Sequence, residues 1–254
     1  MTILELKLSK SGNRVFLLTN DDGPFSEGVQ KLGESLRRFG RVVTVVPHQE
    51  MSGSSHALTL NRPLQLNEIE PDFYIVDGTP ADCTYLGLFH ILKEDRPDVV
   101  VSGVNKGYNM GEDVIYSGTV AGAMEGFFHD ISGVALSAKN LQNLPAILDH
   151  FSNLFPRILV MEDKAMLNIN YPEGEIRGTV MTRLSSRIYP GNVEPCRQSR
   201  NQQALWIGGV PPAWSDRPGT DIVEVLNGFV SVTPLQPDLT DFKEMEKVET
   251  CLKI

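Results

Sequence analysis

Cysteine is scarce: Cys83, Cys196 and Cys251 are the only three in 254 residues. They are odd in number, widely spaced and form no CxxC. That excludes a disulfide framework and a zinc site, and it predicts a reducing, cytoplasmic setting. Long apolar runs are missing as well. No segment has the length to span a bilayer, and the opening "MTILELKLSKSGNR" lacks the apolar stretch of a signal peptide. A basic excess is also absent. With a formal charge of −9, the chain offers no attraction to nucleic acid or acidic membranes, so neither is expected as a stable partner. A small phosphorylated ligand, held by a metal and backbone N–H groups, stays open. Neither GxSxG nor GxxxxGKS/T occurs, which removes the nucleophile-elbow hydrolases and the P-loop proteins.

What is present is an alternation of short β-rich runs and helical patterns. Arg14–Thr19, Arg41–Val46, Asp72–Val76, Asp98–Ser102 and Gly133–Ser137 read as strands. Helices are predicted over Glu27–Phe39, Pro80–Lys93, Gly118–His129 and Leu144–Phe155. This pattern predicts an α/β fold, a Rossmann-like doubly wound sheet that is mostly parallel, over residues 14–165. From about residue 166 the texture changes. "LNINYP", "GTVMTRLSSRIY", "QALWIGG" and "DIVEVLNGFVSVTPL" read as strands and hairpins, broken by a Pro-rich turn at Pro211–Pro218. Asp238–Leu252 is predicted helical. Residues 166–254 are expected to form a β-rich extension on the same single domain, used for subunit contacts.

In an open parallel sheet, ligands bind where loops leave the carboxyl ends of strands. Those ends here carry Asn20–Asp21–Asp22–Gly23, Pro47–His56, Asp77–Asp82 and Ser102–Thr119. Adjacent like charges at Asp21 and Asp22 are tolerable with a cation between them, and oxygen neighbours such as Asn20, Ser52 and Asn105 suit Mg²⁺ or Mn²⁺. A solvated turn with one Asp capping the next helix explains the pair equally well. "SGTVAGAMEG" starts a helix with Ser117, Gly118 and Thr119, which is a ready phosphate site or a plain cap. The small residues Ala121, Gly122 and Ala123 also suit close helix–sheet packing. Asn105 and Asn109 stand among glycines, as ligands or as turn residues. The loop around Ser52 and Gly53 presents hydroxyls and backbone donors. His48 and His56 are candidate general acids, with an idle loop histidine as the plainer reading of each. A receiver-like phospho-acceptor domain competes, since Asp21, Asp22, Asp77, Ser102 and Lys139 fill its slots. Non-catalytic nucleotide binding is a third reading.

"LLTNDDG", "PHQEMSGSSHALTL", "DGTPADC", "SGVNKGYNMGEDVIYSGTVAGAMEG", "LNINYP" and "GFVSVTPLQPDLTD", in order from residue 17 to 241, closely resemble the SurE family, the survival-protein E nucleotidases. The resemblance implies a metal-dependent phosphatase acting on nucleoside 5′- and 3′-monophosphates, of the 5′-nucleotidase class. It implies a Rossmann-like fold whose C-terminal extension exchanges between subunits of a homodimer or homotetramer. By motif, Asp21, Asp22, Ser52 and Asn105 would hold one divalent ion per subunit, Mg²⁺ or Mn²⁺, with the aspartates at the catalytic centre. Asn109 and Ser117–Gly118–Thr119 match the phosphate-binding part, and Asn20 and Gly53 join the substrate side. Two positions depart from the family's pattern. Lys106 stands where Arg is usual, losing the bidentate fork, and Met51 stands where a basic residue often precedes the Ser.

Overall fold

The computed structural model describes residues 14–188, 191, 193–197, 203–207, 213–214 and 217–253. Six parallel strands make up the centre of the molecule: β1 (Val15–Thr19), β2 (Arg41–Pro47), β4 (Phe73–Val76), β5 (Val99–Lys106), β6 (Ser132–Ala138) and β7 (Met166–Tyr171). Every residue of β1 is buried, as expected of a strand covered on both faces. The full sheet has nine strands in the order β3-β4-β2-β1-β5-β6-β7-β13-β8, with β3 (Leu66–Glu70), β8 (Thr179–Met181) and β13 (Val230–Leu235) toward its edges.

Alternation along β1 sorts its side chains between two cores. Phe16 and Leu18 pack with Leu32 and Leu36 of helix α1 (Glu27–Leu36) and with Phe151 and Phe155 of helix α5 (Leu144–Ile158). Val15 and Leu17 face Cys83 in helix α2 (Pro80–Leu86) and Leu88 in the π-helical turn Gly87–Ile91 that continues it. The helix between β5 and β6, α4 (Gly118–Phe128), follows a short helix α3 (Asp113–Tyr116) and lies on the β6–β7 side of that same face. Its small residues do what close packing requires. A Cβ on Gly122 would lie 2.7 Å from Thr19 Cγ2, and one on Gly126 would lie 2.4 Å from Val100 Cγ2.

The expected division at residue 165 does not coincide with an edge of the sheet. β7 pairs with β6, and β13 returns antiparallel beside β7, with β8 parallel to β13. "DIVEVL", predicted as strand, is helix α6 (Asp221–Leu226). Its β-branched residues favour strand, but Ile222 and Val225 stand one turn apart and bury together against Met110. The edge strand β3 was not expected, because "LNEIE" is largely exposed and carries no apolar face to signal it. Hairpin β10–β11 (Val193–Arg197, Gln203–Ile207) and the pair β9–β12 (Arg187–Ile188, Ala213–Trp214) form separate two-stranded sheets. Half of the expected turn at Pro211–Pro218 lies outside the described residues, as do Tyr189 of "GTVMTRLSSRIY" and the Gly-Gly ending "QALWIGG". The predicted tail helix is α7 (Phe242–Leu252). Among the described residues no helix is long and apolar enough to cross a membrane.

Candidate active site

Counting only the parallel strands in chain order, the sheet runs 3-2-1-4-5-6, with its reversal between β1 and β5. That crevice is where such sheets bind ligands. A receiver domain has the order 2-1-3-4-5, so the topology excludes the receiver reading. Its supposed acceptor and cation are also otherwise engaged. Asp77 accepts from Arg62 and from the Gln65 N–H, and Lys139 pairs with Glu173 at 2.7 Å.

Asp21 and Asp22 follow directly on β1, at the switch point. Three separate segments are tied to them. The Met51 N–H donates to the Asp21 carbonyl at 2.8 Å, bringing in the loop after β2. The Lys106 N–H donates to Asp22 Oδ2 at 3.3 Å, bringing in the end of β5. Thr119 donates its hydroxyl to Asp21 Oδ1 at 2.5 Å, bringing in the start of α4. Asn20, fully buried, donates its amide to the Gly23 carbonyl at 2.8 Å and so closes the turn carrying both aspartates.

Asp21 is 4% exposed, and burial pushes its carboxyl above the ordinary range despite the bonds from Thr119. Asp22 is pushed up to about 6, first by burial, then by the charge of Asp21, with Glu50 adding to both. Among the described residues Lys106 alone adds an opposing charge, and it acts on Asp22 less than the burial and the Asp21 charge that raise it, so the pair has the charge to accept a cation. Among the described residues no three His, Cys, Asp or Glu side chains converge as a metal-binding group. Two carboxylates with neutral oxygen neighbours would suit a hard divalent ion better than zinc. Asn105 donates its amide to the Gly107 carbonyl at 2.9 Å, leaving its oxygen as the group available to a ligand. It stands where the β5–β6 register slips between Ser102 and Asn105. Ser52 is exposed and bonds Glu50 Oε1 at 2.8 Å, and Gly53 turns the loop with φ +72°.

The helix start is more occupied than its residue types suggest. Ser117 is the N-cap, accepting from the Val120 N–H at 3.0 Å, and the Thr119 hydroxyl is taken by Asp21. Gly118 sits between them under tight constraint. A Cβ there would meet Ser54 Oγ at 2.7 Å and Asp21 Oδ2 at 3.1 Å. Asn109 is held further back. Its amide donates to Ser137 Oγ at 2.8 Å, its N–H to Asn170 Oδ1, and its carbonyl accepts from Asn168 and Asn170. That buried amide network was missed, although the alternation in "LNINYP" puts Asn168 and Asn170 on one face of β7. Ser54 was missed too. Its Oγ is buried without a hydrogen-bond partner, close to Gly118 and Asp21. Beside Asp22 a cleft of about 420 Å³ opens, with Phe25, His48, Gln49, Lys106 and Leu141 in its lining. His56 is directed elsewhere, to Glu125.

Known proteins match nearly the whole chain. The family model described as survival protein SurE matches residues 16–191. A protein of Aquifex aeolicus named 5′-nucleotidase SurE is 43% identical over an alignment of 243 residues that covers 92% of this chain and 96% of that protein. One of the same name from Laribacter hongkongensis is 40% identical over 93% of this chain and 98% of its own length. The crystal structure of SurE protein from Aquifex aeolicus superposes with a TM-score of 0.81 at 41% identity, covering 94% of this chain and 99% of that one. On the strength of those matches, this chain belongs to the SurE family.

Proposed function

We propose that this chain is a metal-dependent phosphatase of the 5′-nucleotidase class, hydrolysing nucleoside 5′- and 3′-monophosphates to nucleoside and inorganic phosphate. The observation that carries the reading is the joining of Asp21 and Asp22 to three segments at the topological switch point. The name shared by its relatives supports the substrate class.

Asp21, Asp22, Ser52 and Asn105 would hold one divalent ion, Mg²⁺ or Mn²⁺. When bound, that ion supplies positive charge for the phosphoryl oxygens and acidifies a water. Asp21 and Asp22 set the charge and the position of the cradle. Thr119, by holding Asp21 Oδ1, fixes one carboxylate and aligns the start of α4 with it. The positive end of that helix would then face the phosphate with Gly118 at its tip, where the absence of a Cβ leaves room for Ser54 Oγ and the Asp21 carboxylate. Asn109 and its amide network hold the far wall of the site, and Gly53 and Ser54 its rim. The nucleoside fits the cleft beside Asp22, where Phe25 offers a ring 83% exposed and Lys106 a cation. One of the two aspartates would take the proton of the attacking water.

A homodimer or homotetramer completes the proposal, built through the segment after residue 166. Helix α7 carries Phe242, Met245, Val248 and Leu252 on one stripe, all at least half exposed. Such a stripe is what a subunit contact buries. The reducing cytoplasm is the setting proposed for it.

Inorganic phosphate release over a panel of 5′- and 3′-monophosphates tests the substrate class. The proposal expects release from several nucleotides and little from nucleoside triphosphates. A protein that binds a nucleotide without releasing phosphate from any of them supports non-catalytic binding instead.

A further inference from the structure

Glu125 lies in the middle of α4 with its side chain 4% exposed, and it bridges two histidines. His56 Nε2 is 2.6 Å from Oε2, and His129 Nε2 is 3.1 Å from Oε1. Burial raises the carboxyl, but the two histidine bonds outweigh it and hold it below the ordinary range, so Glu125 is an anion in the fold. The two histidines differ in what they tie down. His129 sits four residues along at the end of the same helix, packed edge-on against Tyr85 and Phe89. His56 comes from the loop after β2, and its ring stacks on Phe128 at 5.1 Å.

That loop is the one that brings Ser52 and Ser54 to the aspartates. It turns through Gly53 and then through Ser55, a non-glycine residue at φ +55°. Such a conformation costs on the order of 1 kcal/mol and persists only where neighbours hold it. Ser55 is held by the carbonyls of α3, its N–H on Tyr116 O at 3.0 Å and its hydroxyl on Ile115 O at 2.7 Å. His56 follows at once and fastens the loop to α4, the helix whose first turn holds Asp21 through Thr119. The fit at the other end has no slack, because Ser54 Oγ lies 2.7 Å from the Cβ position of Gly118.

We propose that His56 and Glu125 are positioning residues, a latch that fixes the Ser52–Ser55 loop against α4 and so sets the geometry of the metal cradle. The inference rests on the reading of Ser52 as a metal ligand. Neither residue lines the cleft beside Asp22. Partners that orient a ligand commonly account for about 10- to 100-fold of metal affinity, and the latch belongs at the lower end because Ser52 is one neutral ligand among charged ones.

The test is calorimetric titration of the metal-free full-length protein with Mn²⁺, with circular dichroism on each variant as the check of folding. His56→Ala is expected to weaken Mn²⁺ binding about tenfold and to lower kcat with KM for nucleotide little changed. His56→Gln, whose amide nitrogen reaches the place of Nε2, is expected to restore most of the affinity. His129→Ala, which leaves the loop attached, is expected to bind Mn²⁺ like wild type. Glu125→Met, similar in length but without an oxygen to accept from His56, is expected to reproduce the loss. Unchanged affinity in folded His56→Ala or in folded Glu125→Met overturns the latch, and so does an equal loss in His129→Ala. Wild-type protein that binds no Mn²⁺ overturns the metal-dependent reading and the latch with it.

Discussion

At Asp22 burial and the charge of Asp21 act on one carboxyl. Its value of about 6 stands above the 3.8 of a free side chain, so the fold favours its protonated form. Its stabilising contribution to the metal-free protein is therefore full below pH 3.8 and is lost as pH rises through about 6. Metal-free Asp22→Asn should gain melting temperature over wild type as pH climbs from 4 to 7, and the gain should vanish at the acid end. In the proposed cradle protons would compete with the cation for these oxygens, so Mn²⁺ affinity of wild type should fall steeply as pH drops below about 6. A titration at pH 5 and 7.5 checks this, and equal affinities would contradict it. At this scale the sequence was legible where a residue's role follows from its backbone position: Asp21, Asp22 and Asn105 stand at strand ends whatever their side chains do. It was less legible for Ser117 and Thr119. Their hydroxyls bond Val120 and Asp21, and nothing local tells a hydroxyl aimed at a ligand from one aimed at its neighbour.

Helix α4 is the element on which the site is built, and its small residues are what let it lie so close to β1 and β5. Gly122 sets that distance, with Thr19 Cγ2 at 2.7 Å and Pro80 Cβ and Ser102 Oγ at 3.3 Å from its missing Cβ. Gly122→Val should destabilise the fold by about 1–3 kcal/mol, the usual range for overpacking. It should also lower activity more than a matched substitution on the exposed face, since the helix start shifts with its middle. Denaturant midpoints and kcat on the two variants check both statements. Buried parallel strands were plain in the sequence because two covered faces demand continuous apolar runs. Exposed β3 sends no such signal. Helix α6 sends a misleading one, because tertiary burial of Ile222 and Val225 overrides the strand preference of β-branched residues.

Across the whole molecule, the order of strands decides where chemistry is possible. A reversal between β1 and β5 leaves one crevice, and the loops that meet there come from residues as far apart as 21 and 119. The same sheet continues past β7 into β13 and β8, so the C-terminal part is anchored to the core while α7 stays exposed. Replacing Met245 and Val248 with Glu should lower the mass seen in sedimentation toward that of one chain, 28.1 kDa. An unchanged mass would place the subunit contact elsewhere.

Asp21 and Asp22 are proposed to form a metal cradle that drives phosphate release. Phosphate release from one nucleoside monophosphate should be measured for wild type and Asp22→Asn, after chelation and after Mg²⁺ or Mn²⁺ is restored. The account predicts that chelation abolishes wild-type release and that metal restores it. Because a supporting partner alone can be worth up to about 100-fold, Asp22→Asn should stay at least roughly 100-fold lower with its fold intact. Release that survives chelation, or wild-type turnover by Asp22→Asn, would contradict it.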